Sequence, residues 1–216
     1  MPNWVSNSVR VTGDKKELQR FAEQAGRKHK ERRMELGPNG VEWVWADTQV
    51  EEHLSFWNFV QPDESILDEY WGAERQDLSL EERLQHKTNH WYDWNIRNWG
   101  CKWDAKDVYF EDWDGELAYD FETPWSYPED VLVAMVAQYP TLTFSIRFLE
   151  EQGWGGEALG MNGEFSITDE WDIPDTHEER MLHIGYCHCE EANEYDIEYL
   201  YDDCPRKMEL ANATTV

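Results

Sequence analysis

Polar and apolar positions along this chain alternate first with the period of a strand and then with that of a helix. Val5, Asn7, Val9 and Val11 alternate with Ser6, Ser8 and Arg10, which predicts a strand with one face turned inward. Gly13 ends it, and Asp14 with Glu17 reads as a capping box. Leu18, Phe21, Ala22 and Ala25 recur at i, i+3, i+4 and i+7 and predict an amphipathic helix to about Lys30. Gly37-Pro38-Asn39-Gly40 is a turn signal. The apolar run from Leu54 to Val60 predicts a buried strand closed by Pro62, and Ile66 to Trp71 predicts one or two helical turns.

Ser79 with Glu82 is a second capping box, opening a helix that runs through Leu80, Leu84, Trp91 and Trp94 and stops at Gly100. Val108 to Phe110 and Leu117 to Phe121 flank Asp114-Gly115, a hairpin signal. Leu117, Tyr119 and Phe121 share one face of the second strand, while Glu116, Asp120 and Glu122 share the other. Ser126, Pro128 and Glu129 predict a helix start, with Leu132, Met135, Val136 and Tyr139 as its apolar stripe. Leu142, Phe144, Ile146 and Phe148 form a strand pattern, Gly153, Gly155 and Gly156 read as a bend, and Asn162-Gly163 marks a second hairpin. Beyond that, Asp175 with Glu178 predicts a short helix, and alternating Tyr195, Ile197 and Tyr199 an edge strand within 190–203.

The order predicts an α+β, ferredoxin-like (split βαβ) antiparallel sheet with helices on one face. A helical insertion at about 61–105 and a β-hairpin extension elaborate a domain spanning 1–170. An acidic C-terminal extension, 171–216, is expected to pack on it.

Charge changes the picture. The 216 residues carry a net charge of -27, unevenly spread. Residues 1–34 hold nine Lys/Arg against four acids, a balance of +5, which leaves −32 for the rest. One basic helix on an acidic body is the expectation. Such a body repels nucleic acid and anionic membranes and attracts basic proteins. Simple solubility is the alternative reading of the same charge. The chain starts directly into a strand pattern with no signal peptide, and its longest apolar run, 131–137, is far short of the roughly 20 residues that span a membrane. A cytoplasmic protein with reduced thiols is expected.

Four tryptophans fall within the thirteen residues from Trp91 to Trp103. Asn3-Trp4-Val5-Ser6-Asn7, the stretch from Trp94 to Ala105, and Thr123-Pro124-Trp125-Ser126 together resemble the YubB-like ferredoxin-like domain family of phage and plasmid proteins. The Asn98-Trp99-Gly100-x-Lys102-Trp103-Asp104-Ala105 motif is the specific part. The resemblance covers residues 1 to about 165 and implies a ferredoxin-like domain from a mobile element. It supplies no catalytic residues.

Three groups of residues are candidates for function. Trp94, Asn98, Trp99, Lys102, Trp103 and Asp104 form either a stacking pocket for a nucleotide-like ligand or sugar, or a wrapped helix end packed as core. His183, Cys187, Cys189 and Cys204 are the types zinc takes, with His177 and His188 as substitutes. Cys-x-Cys is not the usual zinc spacing, so no cofactor is expected ahead of reduced buried thiols. The third group is acidic: Asp112, Asp114 and Glu116 about the hairpin tip, with Asp120 and Glu122 about 6.7 Å apart on one strand face. Further acids are Glu190, Glu191, Glu194, Asp196, Glu198, Asp202 and Asp203. Carboxylate rows can imitate a phosphate backbone, which carries a charge per ~1.7 Å of duplex, although a charge run is usually a solvated face.

The leading expectation is a non-enzymatic acidic inhibitor from a mobile element, bound to a basic, nucleic-acid-binding host defence protein such as a CRISPR effector or restriction-type nuclease. No direct nucleic acid and no membrane are expected as partners. A small-ligand binder or enzyme using the 94–104 region is the second reading. A structural or assembly component acting through the basic first helix is the third.

Overall fold

Val5, Asn7, Val9 and Val11 do face inward, on a strand that lies inside the sheet: β1 (Trp4–Thr12) pairs on both sides. The computed structural model of the chain describes residues 2–37, 40–48, 53–72, 79–192 and 196–213. After β1 come α1 (Lys15–Ala25), a hairpin of β2 (Lys30–Gly37) and β3 (Gly40–Asp47), and three helices, α2 (Leu67–Trp71), α3 (Leu80–Asn89) and α4 (Trp91–Trp99). Next are β4 (Lys106–Trp113), β5 (Glu116–Pro124), α5 (Glu129–Gln138), β6 (Thr143–Glu150), β7 (Gly155–Met161) and β8 (Glu164–Trp171). α6 (His177–His183) and α7 (Pro205–Ala213) follow.

The six-stranded sheet has the order β4-β5-β1-β6-β7-β8, and every pairing is antiparallel. Within it, β1-α1-β4-β5-α5-β6 is the split βαβ arrangement, so the domain is ferredoxin-like and α+β. Leu18, Phe21 and Ala25 of α1 and Val131, Leu132, Met135 and Val136 of α5 share one core with Val9, Val11, Leu117, Tyr119, Phe121, Phe144 and Ile146. Both helices therefore cover the same face. The β7–β8 hairpin extends the sheet, turning at Asn162 and Gly163, both in the left-handed region at φ 57 and 81.

Several boundaries differ from the sequence reading. α1 ends at Ala25, where Gly26 caps it, so Lys30 opens β2 instead of closing the helix. The Asp14 carboxylate accepts from Lys16 N at 2.9 Å, and Glu17 pairs with Arg20 rather than closing a capping box. The β2–β3 hairpin was not anticipated. Its flanks, Lys30 to Leu36 and Val41 to Trp45, surround the glycine-bounded turn, whose Pro38 and Asn39 lie outside the described residues. The expected strand at 54–60 is instead a 3-10 turn, Phe56–Asn58. Its i, i+3 spacing drives Phe56 and Phe59 into the same core, and Ser55 N donates to Ala25 O at 3.1 Å. The second strand of the ferredoxin-like core is thus β4, and the insertion runs from 26 to 105.

The long helix predicted from Ser79 is two helices, broken at His90, whose backbone is extended (φ -64, ψ 143). Its capping box is present, with Ser79 N donating to Glu82 Oε2 at 2.9 Å. Gly155 and Gly156 belong to β7 rather than to a bend. A Cβ at Gly156 would lie 2.5 Å from the Phe148 ring. The cap of α6 falls one residue later than predicted, on Thr176, which accepts from Glu179 N. The edge strand expected within 190–203 is absent among the described residues. The chain there closes local turns at His188–Glu191 and Ile197–Tyr199. Tyr195 lies outside the described residues.

The segment after Trp171 lies on the sheet face opposite α1 and α5. Arg147 of β6 donates to the His183 carbonyl, the His183 ring stacks on Trp171 at 4.7 Å, and Pro174 and Ile184 flank Gly153.

Candidate functional site

Trp94 and Trp99 of α4 are both buried in the core, and Asn95, one turn before Trp99, is buried beside them. Trp99 Nε1 donates to Val60 O at 2.8 Å, and Asn98 Nδ2 donates to Trp94 O at 2.8 Å. Gly100 then turns the chain at φ 82, a conformation that favours glycine, and a Cβ there would meet Glu129 N at 2.9 Å. Asn95 holds the returning chain by donating to Lys102 O at 2.9 Å while accepting from the Tyr70 hydroxyl at 2.7 Å. The Asp104 carboxylate accepts from Ser55 Oγ at 2.7 Å, Phe56 N at 2.6 Å and Ala105 N at 2.8 Å. Burial raises its pKa, and those three donors oppose the rise.

The three segments that carry the family resemblance meet here. Trp125 N donates to Asn3 O at 2.8 Å, and Ser126 Oγ donates to Gly100 O at 2.6 Å instead of capping α5. Trp103 lies 6.0 Å from Trp4 and 6.4 Å from Trp125. Lys102 Nζ sits among rings, 4.6 Å from Trp103, 4.8 Å from Trp125 and 5.3 Å from Tyr92. At such distances the ring faces attract the ammonium.

The predicted pocket is therefore divided. Trp94 and Asn98 are packing residues, and Lys102 sits among the surface rings. Trp99, Trp103 and Asp104 instead line a cavity of about 420 Å³ together with His29, Glu31, Trp57, Tyr70, Trp71, Trp91, Asn95 and Lys106. His29, Trp57, Tyr70 and Trp71 were not among the pocket candidates because the inserted segment brings them in from 23 or more positions away. Their one sequence signal is the aromatic richness of 56–71.

The acidic candidates also divide. Asp120 forms a two-point ion pair with Arg10 at 3.1 and 3.0 Å, and Glu122 accepts from Ser6 Oγ at 2.9 Å. Both border a cleft of about 550 Å³ that Trp4, Tyr109, Phe121 and Leu149 also line. Asp202 pairs with Lys207 at 2.7 Å, and Asp203 accepts from His177 N and Glu178 N, which lowers its pKa. These four are tied into the fold and do not form a free row. Asp196 is half-buried beside the Ile197–Tyr199 turn. Asp112 and Asp114 are exposed and Glu116 half-buried at the β4–β5 tip, where Asp114 lies 3.6 Å from Lys15. Glu191 and Glu198 are exposed on the C-terminal turns, while Glu194 and the side chain of Glu190 lie outside the described residues. Glu164, Asp169 and Glu170 on edge strand β8 are exposed and were not among the candidates. The basic residues do not form one helix either. They spread over β1, α1, the loop after it and β2.

Of the metal candidates, the structure brings Cys187 and Cys189 together with His177. One ligand atom from each lies within 4.8 Å of the others. The Cys189 thiol also neighbours that of Cys204. His183 is not part of this group, because its ring is stacked on Trp171. His188 begins a 3-10 turn, and its side chain lies outside the described residues.

A family model fits this architecture. Residues 98–198 match the family model described as the ferredoxin-like domain in Api92-like protein. That description names a fold and no activity. The matched stretch begins in the last turn of α4 and ends in the C-terminal segment, so β1 and α1, which complete the ferredoxin-like arrangement, precede it. The crystal structure of the protein api92 from Yersinia pseudotuberculosis is similar, at 10% identity, with 81% of this chain and 99% of that chain covered and a TM-score of 0.48. No curated protein matches this chain. No described helix is long and apolar enough to cross a membrane.

Proposed function

We propose that this chain is a non-catalytic acidic protein that covers the nucleic-acid-binding surface of a basic partner. In the finer form of this reading, it is an inhibitor carried by a mobile element and directed at a CRISPR effector or restriction-type nuclease. The distribution of charge in the fold carries the reading. Three cations near the sheet are engaged internally, Arg10 by Asp120, Arg147 by Glu157 and Lys102 by aromatic rings. Carboxylates on both sheet edges, Asp112 on β4 and Glu164, Asp169 and Glu170 on β8, face solvent. Acidic edges also keep sheets from pairing with one another, which is the plainer use of such residues. The total of -27 far exceeds what edge protection requires.

Cleavage by a panel of purified CRISPR effectors and restriction nucleases tests it. One of them is inhibited by the chain. That inhibition weakens on the order of tenfold or more from ~0.1 to ~1 M salt, as the Debye length falls from ~10 to ~3 Å. Joint replacement of Asp112, Asp114 and Glu116 by lysine weakens it further. Inhibition that ignores salt, or an unaffected panel, rejects the reading.

The cavity of about 420 Å³ favours a second reading, a binder of a small planar ligand. Its size lies within the ~300–1,000 Å³ of ligand pockets, and aromatic walls with a few polar groups are what such pockets use. Quenching of tryptophan fluorescence by nucleosides or sugars, abolished in Trp57→Ala, separates this reading from the first.

A further inference from the structure

We propose that His177, Cys187, Cys189 and Cys204 bind one zinc ion as a Cys3His site that fastens the segment after Trp171 to itself. The inference is independent of the acidic-surface reading.

The four residues come from three separate places: the first turn of α6, the turn at His188–Glu191, and the start of α7. Cys189 Sγ lies 3.8 Å from His177 Nδ1. With Zn–S of ~2.3 Å and Zn–N of ~2.0 Å, a tetrahedral S···N edge is ~3.6 Å, so this pair is within a few tenths of an ångström of the required separation. Cys187, Cys189 and His177 lie within 4.8 Å of one another, so closing these three takes less than about an ångström per ligand, and the Cys204 thiol neighbours that of Cys189. All four cysteines of the chain are free, and Cys189 and Cys204 are buried. The fourth, Cys101, lies far off in the sheet core, with its Sγ directed at Trp103 O.

The short Cys-x-Cys spacing is resolved by the backbone. Along a straight strand the two thiols would sit on one side about 6.7 Å apart, too far for one ion. Cys187 is extended (φ -130, ψ 139), but Cys189 lies inside the 3-10 turn, which Ala192 N closes onto Cys189 O. The turn brings both thiols to one point.

Outer contacts hold the ligands in place. The Asp203 carboxylate accepts from His177 N at 2.8 Å and Glu178 N at 3.1 Å, so the neighbour of Cys204 is tied to the ligand histidine. Cys204 N donates to Tyr201 O. Zinc holds cysteine sulfurs as thiolates, so protons are released as it binds. Three sulfurs and one imidazole nitrogen are a soft, complete set for four-coordinate zinc. No position is left for water, so the site is structural and not catalytic.

The full-length chain, purified reduced, is assayed for metal by mass spectrometry. About one zinc per chain is expected. His177→Ala and Cys204→Ser each lower this several-fold, while His183→Ala leaves it unchanged. Cobalt added to zinc-depleted wild type develops thiolate-to-metal absorption. To separate metal loss from misfolding of a variant, wild type is also stripped with a zinc chelator. Amides of α6 and α7 then lose hydrogen-exchange protection while those of β1, β5 and β6 keep theirs. Zinc below about a tenth per chain that zinc-supplemented refolding does not restore overturns the proposal. So does full zinc content in both ligand variants, or a disulfide among Cys187, Cys189 and Cys204 in the reduced preparation.

Discussion

Phe21 of α1 lies 5.0 to 5.9 Å, ring centre to ring centre, from Phe59, Tyr119, Tyr139 and Phe144. In the C-terminal segment, the buried apolar residues among those described are Cys189, Ala192 and Cys204. The shared core contains no described residue beyond Trp171. The sheet and its two helices are held by buried area, at about 25 cal/mol per Å² of apolar surface. The C-terminal segment is held by point contacts: Asp203 on the first amides of α6, Arg147 on the His183 carbonyl, Lys207 on Leu200 O, and the cysteine–histidine cluster. A segment with so little apolar area needs such cross-links, as small domains do. The two regions should therefore answer different perturbations.

The largest test is Phe21→Ala. Emptying a site ringed by four aromatics costs about 3–5 kcal/mol, read from the urea midpoint of the whole domain. A cost below ~1 kcal/mol would break the comparison, because the aromatic cluster would then not be what holds the core.

Asp104→Ala is next. It leaves the Ser55 hydroxyl and the Phe56 and Ala105 amides without their acceptor, at about 1–3 kcal/mol for each donor that stays buried. Asp104 also has a pH signature. Its folded pKa is raised, so the fold binds its proton more tightly than the unfolded chain does. Its contribution is fully present below the unfolded value of ~3.9 and is lost as pH rises through the folded value. Asp104→Asn removes that part of the pH dependence, measured as the slope of unfolding free energy against pH.

A smaller, local effect is expected at Asp203, where the sign is opposite. Its pKa is lowered, chiefly by the His177 amide, so its stabilisation is present above the unfolded ~3.9 and is lost as pH falls through the folded value. Hydrogen exchange should show α6 loosening in acid while β1 stays protected, and Asp203→Asn should loosen α6 at neutral pH. Loss of β1 protection together with α6 would show that the two regions unfold as one. Lys15→Ala sets the lower bound. Its ion pair with Asp114 is 3.6 Å long and almost fully exposed, so the urea midpoint should move by less than about 0.5 kcal/mol.

Much of the core was legible in the chain. The alternation at 5–11 and 142–148, the Asp114-Gly115 and Asn162-Gly163 turns, and the stripes of α1 and α5 all appear where the pattern put them, because each is a local preference reinforced by burial. The errors have one cause. At Leu54 to Val60, an apolar run fits a buried strand and a 3-10 turn equally well, and the choice is made by Ala25 O and the Asp104 carboxylate from elsewhere in the chain. At 30–47, only the turn at 37–40 was read, and the two strands that pair across it were not recognised.

The candidate sites follow the same division. Residue types and spacing marked the 91–105 tryptophans, the acidic rows and the cysteines. They did not show that Asp120 and Glu122 are engaged by Arg10 and Ser6, or that His177 rather than His183 joins Cys187 and Cys189. Sequence by itself determined the ferredoxin-like fold class and the large negative charge, since periodicity and composition are properties of the chain read in line. Tertiary structure alone decided which carboxylates face solvent, which tryptophans border the cavity and which histidine meets the thiols. Each of these depends on groups far apart in the chain, brought together only when the inserted segments and the C-terminal turns fold against the sheet.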